Sequence, residues 1–332
     1  MKVLLNGTSA GYWAKEDDSP INTDFLRTEV LVDVLNGCNA GCKGCFIPRR
    51  NMNPYLDELV ALLEGSSFYV DEITIGPTDI FDATNFDAVM SDPNVKKIYA
   101  SSAIAFTSAL KQPIWEIKDK LDVIWSLYKG IDRIPDIDFK IVLDIDEYLD
   151  KGLDDMKLSL FKEGSVQFRV NYYEGIFDRI SYNDLCNKVL EDYNCPVLIL
   201  PNFMTNNNHT DKVTSLVESF KKDLIDQDIE HLEWYTMFDS KFNSYGCSNF
   251  SFYNGSLYVS PFIFDGIIQR SDYFKVKDID DFRLVENLNV SPCGDCEFLM
   301  SCAERNVHMY MHSRGLTECV LPKEYMYANH KE

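Results

Sequence analysis

From about Glu29 to Phe238 short β-rich runs alternate with longer amphipathic stretches, and this rhythm constrains the fold more than any other feature of the chain. It is the pattern of a parallel sheet with helices packed outside it. The runs predict strands at 29–36, 72–76, 97–101, 139–145, 166–172 and 196–200, with helices between them, for example at 53–63 and 183–193. Six βα units are too few for a closed eight-stranded barrel. The expected fold is therefore α/β, a partial (β/α)6 barrel of parallel strands, open on one side where a large substrate can enter. The Asp/Lys-rich stretch around 144–155 reads as a strand end followed by a solvated helix.

After about Ser240 the texture changes. Short strands around 249–260, with Asn254-Gly255 as a hairpin turn signal, lead into a cysteine-rich segment and a polar tail. The expected division is an N-terminal extension at 1–28, the partial barrel at 29–239 and a small cysteine-rich α+β domain at 240–332.

With 332 residues, 45% of them hydrophobic, the chain has material for one large core and a smaller one. Lys plus Arg number 32 against 53 Asp plus Glu, and the net charge of −21 disfavours nonspecific attraction to nucleic-acid phosphates or anionic membranes. DNA is thus a disfavoured partner. The first residues lack the apolar stretch of a signal peptide, and no run of about 18 apolar residues lacks a charge. A cytoplasmic location is expected, where thiols stay reduced. The ten cysteines then read as metal ligands or buried side chains, not as a disulfide framework.

Their spacing is informative. Leu35-Asn36-Gly37-Cys38-Asn39-Ala40-Gly41-Cys42-Lys43-Gly44-Cys45-Phe46 puts three thiols directly after the first predicted strand, on a loop carrying three glycines. Such a loop can wrap a metal cluster. Three thiolates on an iron–sulfur cubane leave the fourth iron open to a small molecule. The alternative is zinc, which takes paired hooks and a fourth ligand, whereas the next cysteine is Cys186.

The Cys-x3-Cys-x2-Cys spacing in this position resembles the signature of the radical S-adenosylmethionine (SAM) superfamily. The resemblance implies that Cys38, Cys42 and Cys45 hold a 4Fe-4S cluster whose open iron is chelated by SAM. One electron, delivered by a donor such as flavodoxin or ferredoxin, then cleaves SAM to methionine and a 5′-deoxyadenosyl radical. The resemblance also implies SAM contacts. Ile75-Gly76-Pro77-Thr78-Asp79 lies where the family has a Gly-Gly-Glu-like turn, which assigns Gly76 and Thr78. Asp144, with Asp146 on the same face of the predicted fourth strand, falls where members present a Ser-x-Asp pair. On the fifth strand Gln167, Arg169 and Asn171 share a face and Phe168, Val170 and Tyr172 take the other, so Arg169 and Asn171 suit SAM or substrate. The family has an aromatic residue just before the third cysteine. Here Gly44 stands at that position, and Phe46 is the expected neighbour of the adenine. Arg49 and Arg50 read either as contacts to a substrate anion or as a solvated face.

Near the C-terminus Cys293-Gly294-Asp295-Cys296 is followed by Cys302 and later by Cys319. This set resembles the SPASM/twitch extension of a subset of radical SAM enzymes and implies one auxiliary 4Fe-4S cluster, with a four-cysteine zinc site as the alternative. The fuller extension carries two clusters, but Ser260 and Asn306 replace two of its ligands here. Cys247, Cys186 and Cys195 are then spare, with burial as their default. His308 and His312, next to Met309 and Met311, read as ordinary packing. The function implied is hydrogen abstraction from a C–H bond of a peptide or protein. The runners-up are a radical isomerase or dehydrogenase acting on a nucleoside, modified DNA base or sugar, and a non-catalytic iron–sulfur or zinc scaffold. Only about 28 residues precede the first predicted strand, too few for a separate leader-peptide recognition domain.

Overall fold

The structure is a computed structural model that describes residues 12–13, 20–21, 29–45, 53–65, 72–127, 129, 137–162, 164–193, 197–200, 210–229, 249–253, 255–258, 275–276 and 319. β1 (Tyr12–Trp13) and β2 (Pro20–Ile21) form a small antiparallel ribbon. β3 (Glu29–Asp33), β4 (Glu72–Ile75), β5 (Ala103–Ser108), β6 (Ile137–Val142), β7 (Val166–Asn171) and β8 (Val197–Leu200) lie side by side in chain order, all parallel. β9 (Asn249–Tyr253) pairs parallel with the other side of β3, and β10 (Ser256–Tyr258) and β11 (Lys275–Val276) extend the sheet antiparallel. The molecule is therefore α/β, with seven parallel strands at its centre. The first strand of the predicted hairpin is hydrogen-bonded into this same sheet.

The helices are α1 (Leu56–Gly65), α2 (Phe86–Met90), α3 (Pro93–Ser101), α4 (Ile114–Ser126), α5 (Ile145–Lys151), α6 (Asp155–Leu158), α7 (Tyr182–Tyr193) and α8 (Thr210–Asp226). Because β3 to β8 never reverse order, right-handed crossovers put every connecting helix on one face of the sheet. The apolar residues of each strand occupy that face. Val30, Val32, Ile73, Ile75, Ile104, Phe106, Phe139, Ile141, Phe168 and Val170 are buried in one cluster with Leu59, Ile98, Ile117, Leu121, Leu185 and Phe220 of the helices. Phe139 sits among four rings, with centroids at 4.7 Å to Phe161, 5.7 Å to Phe106, 6.1 Å to Phe81 and 6.3 Å to Trp125.

The intervening residues occupy the other face, which carries its polar side chains along β4 to β7. Lys140 Nζ on β6 reaches across β5 to Glu72 Oε1 on β4 at 2.8 Å and to Thr74 Oγ1 at 3.2 Å. Ala105 stands between them on β5, in register with Thr74 and Asp138, and its small side chain leaves the lysine a path. All three polar partners are buried. A buried charge pair of this kind holds its place only when each group is compensated, as these are.

Two expectations are corrected. The strand expected at 97–101 belongs to α3, and the strand begins at Ala103. Asp92 caps this helix, accepting from Asn94 N at 2.8 Å, and Pro93 occupies its first turn, while Val95, Ile98 and Tyr99 form its buried stripe. The strand expected at 139–145 runs instead from Ile137 to Val142, so Asp144 and Asp146 do not share a strand face. Asp144 caps α5 by accepting from Glu147 N at 3.2 Å, and Asp146 lies in the first helical turn. The cap competed with strand propagation and won, and the solvated helix expected in this stretch is α5. Among the described residues no helix is long and apolar enough to cross a membrane.

Candidate functional site

The C-terminal ends of parallel strands gather the loops that carry chemistry in α/β folds. Here the loop leaving β3 holds Cys38, Cys42 and Cys45 and runs over those ends. Gly37, Gly41 and Gly44 all have φ of 65°, the left-handed region that side chains resist. At Gly44 even space is lacking, because a Cβ there would stand 2.8 Å from the Tyr172 carbonyl oxygen and 3.3 Å from Asn171 Cβ. The position that is aromatic in the resembled signature is therefore closed to any side chain in this protein. The loop starts on β3 and rests against the end of β7.

Its first limb is fastened by the segment after β4. Asn85 donates to the Val34 carbonyl at 2.9 Å and accepts from Asn36 N at 2.7 Å, and Thr84 N donates to the Asn36 carbonyl at 2.8 Å. The Asn39 amide donates to Asp82, whose other oxygen accepts from Gln112 at 2.5 Å. On the far limb Lys43 pairs with Asp146, and Cys45 N donates to the Cys42 carbonyl at 3.2 Å.

The thiols influence one another. Burial pushes the Cys42 thiol up to about 12, with further rises from Cys45, Asp79 and Cys38. Burial likewise raises Cys38, against the lowering effect of the Ala40 and Asp79 amides. Asp79 is wholly buried, and burial lifts its carboxyl above the ordinary range although Ala109 N and Phe81 N donate to it at 2.7 and 2.9 Å.

The remaining expected contacts are spread along the strand ends. Gly76 follows β4, its amide donating to the Val32 carbonyl at 3.1 Å, and a Cβ there would lie 3.2 Å from Thr107 Oγ1. Thr107 Oγ1 also accepts from Arg169 Nη2 at 3.0 Å. Gly76 and Arg169 are thus brought together through a β5 residue that sequence reasoning missed. Asn171 is buried beside Gly44, and Thr78, two residues after Gly76 in the chain, is buried as well. Gln167 lies on the same face as Arg169, and its Oε1 is buried without a hydrogen-bond partner among the described residues. Asp144 is at the same edge but caps α5, and Asp146 faces out to Lys43 and Arg179.

Phe46, Arg49, Arg50, Cys195, Cys247, Ser260, Cys293, Cys296, Cys302, Asn306, His308 and His312 lie outside the described residues. Cys319 is half-buried against the main core, as is Cys186 on α7. Asp33, Asp82 and Asn85 were also missed, and Asp79 was named only as the end of its turn, although Asp33, flanked by Val32 and Val34, is a charge on the alternating strand pattern pointing away from the apolar face.

Among the described residues no three His, Cys, Asp or Glu side chains converge on one point as the ligands of a single metal ion would. A cubane asks for something else, because each thiolate binds a different iron. Cys38, Cys42 and Cys45, each following a glycine of left-handed φ and with Cys38 and Cys45 both acting on Cys42, are the residues that would hold such a cluster. No family model matches the chain, and no curated protein matches it.

Proposed function

We propose that the protein is a radical SAM enzyme built on a partial (β/α)6 barrel. Cys38, Cys42 and Cys45 hold its SAM-binding 4Fe-4S cluster, and Cys293, Cys296, Cys302 and Cys319 hold one auxiliary cluster. The observation that carries the reading is the cysteine loop itself, which leaves the C-terminal end of β3 and rests at Gly44 against Asn171 and Tyr172 at the end of β7. A sheet curved into a partial barrel would bring those two ends within reach of one loop, and the bond from Arg169 on β7 to Thr107 on β5 is in keeping with it.

When bound and reduced, the cluster would supply the electron for reductive cleavage of SAM, and so the means of taking hydrogen from a C–H bond of the substrate, a peptide or protein. The chain's own residues bind and orient. Gly76 leaves its turn without a side chain where the SAM amino group is expected. Arg169, held by Thr107, offers the guanidinium as a fixed donor toward the carboxylate or ribose. Asn171 and Thr78 add polar atoms from buried positions, Asp144 stands at the rim, and Phe46 is the adenine neighbour. The loops over the strand ends would serve to keep water from the reacting groups.

A second reading, hydrogen abstraction from a small polar molecule such as a nucleoside or sugar, is favoured by the polar face carrying Glu72, Thr74, Lys140 and Gln167. One experiment tests the class. Anaerobically reconstituted protein incubated with SAM and dithionite is expected to form 5′-deoxyadenosine, and Cys42→Ala is expected to form none. Zinc in place of iron, or an iron spectrum unchanged on adding SAM, overturns the reading.

A further inference from the structure

We propose that Asp82 and Asp146 are positioning residues that hold the cysteine loop in its cluster-binding shape from its two limbs, before any cluster is present. The inference rests on the proposed cluster for its purpose and on hydrogen bonding for its substance. Asp82 accepts from the Asn39 amide, one residue beyond Cys38. Its second oxygen is held by Gln112 at 2.5 Å, so one carboxylate ties together the loops that follow β3, β4 and β5. Asn85 and Thr84 fix the stem of the same limb at 34–36.

Asp146 works on the other limb. It takes the Lys43 ammonium, between Cys42 and Cys45 in the chain, while Arg179 Nη1 donates to its second oxygen at 3.0 Å. Arg179 is itself anchored on Asp150 at 2.7 Å, and the Lys43 ammonium lies 5.5 Å from the centroid of the Tyr173 ring. The next residue of α5, Glu147, pairs with Lys111 of the loop after β5. Chain links therefore close a circuit around the strand ends, from Asn39 through Asp82, Gln112 and Lys111 to Glu147 and Asp146, and back to Lys43. The cysteine loop is one side of that frame.

The limbs differ in kind. Asp82 binds a backbone amide directly and so fixes φ and ψ beside Cys38. Asp146 acts through a long, half-exposed side chain, and an exposed ion pair of this sort contributes little alone and is screened by salt. Asp82 is accordingly the stronger of the two. Partners that orient ligands from behind typically change metal affinity by about 10- to 100-fold when removed.

The test uses the full chain in two states. In the metal-free protein, the Asn39 amide is expected to be protected from hydrogen exchange, to lose that protection in Asp82→Ala and to keep it in Asp82→Asn, which still offers an oxygen. In the iron-loaded protein, Asp82→Ala is expected to surrender iron to a chelator about tenfold or more faster than wild type and to alter the EPR signal of the reduced cluster. Asp146→Ala shows a smaller change that 1 M salt imitates in the wild type. Should Asp82→Ala fail to fold, Lys43→Asp alone and combined with Asp146→Lys provides the check, the swap restoring iron retention. Wild-type Asn39 protection and iron retention in Asp82→Ala would overturn the proposal. Loss of Asn39 protection in a protein that assembles no cluster would leave the positioning role standing and remove the cluster reading instead.

Discussion

The two faces of one sheet divide the work of this molecule. Along β7, Phe168 and Val170 vanish into the helices while Gln167, Arg169 and Asn171 line the opposite side, although all five share one backbone. The apolar face is continuous and aromatic at its centre. The polar face is a set of specific pairings, Lys140 with Glu72 and Arg169 with Thr107, each between strands that are not neighbours. The difference teaches that stability and chemistry are separated by strand alternation: area decides on one side, and partner identity decides on the other.

Phe139→Ala tests the apolar side hardest. Losing the ring that meets four others is expected to cost about 3–5 kcal/mol in denaturant unfolding. A cost below about 1 kcal/mol would mean that the aromatic cluster relaxes into the gap and that area is not what counts there.

Lys140→Met strikes the polar side. Leaving Glu72 buried without its ammonium is expected to destabilise by about 3 kcal/mol, and adding Glu72→Leu is expected to return most of it. If the single and double variants are equally unstable, the lysine stem rather than its charge matters, and the contrast between the faces weakens.

The smallest effect is expected where the apolar face carries a polar tip. Tyr172 is buried against Phe220, and its hydroxyl donates to Asp223 of α8 at 2.6 Å. Tyr172→Phe is expected to cost about 1 kcal/mol at neutral pH. Burial raises the Asp223 carboxyl above its ordinary value, with the tyrosine donor pulling the other way. The folded state therefore holds this proton more tightly than the unfolded chain does. Its contribution to stability is greatest below the ordinary aspartate value of about 3.9 and is lost as pH rises through the raised one. Without the donor the folded value rises further, so the loss in Tyr172→Phe should shrink at low pH. Unfolding free energies that differ by the same amount at every pH would contradict this.

Much of this was legible in the chain. The β7 alternation was readable residue by residue, because burial on one face imposes a period of two. The cysteine loop was readable from spacing and from its glycines. The sequence misled where two local signals competed. The 97–101 run looks β-rich, but Asp92 and Pro93 start a helix ahead of it, and Asp144 looks like a strand residue until its carboxylate is seen to cap α5. Capping depends on a backbone turn that composition does not reveal.

By itself the sequence determined the α/β class, the order of most elements and the position of the three thiols, since periodicity and spacing are local properties. Only the tertiary structure decided that the chain returns at β9 to pair with β3, that Thr107 joins Gly76 to Arg169, and that Asp82 and Asp146 grip the cysteine loop. Asn39 and Asp82 are 43 residues apart, and Lys43 and Asp146 are 103 apart. A hydrogen bond at such separations has no local signature, because it exists only once the sheet has brought the strand ends together.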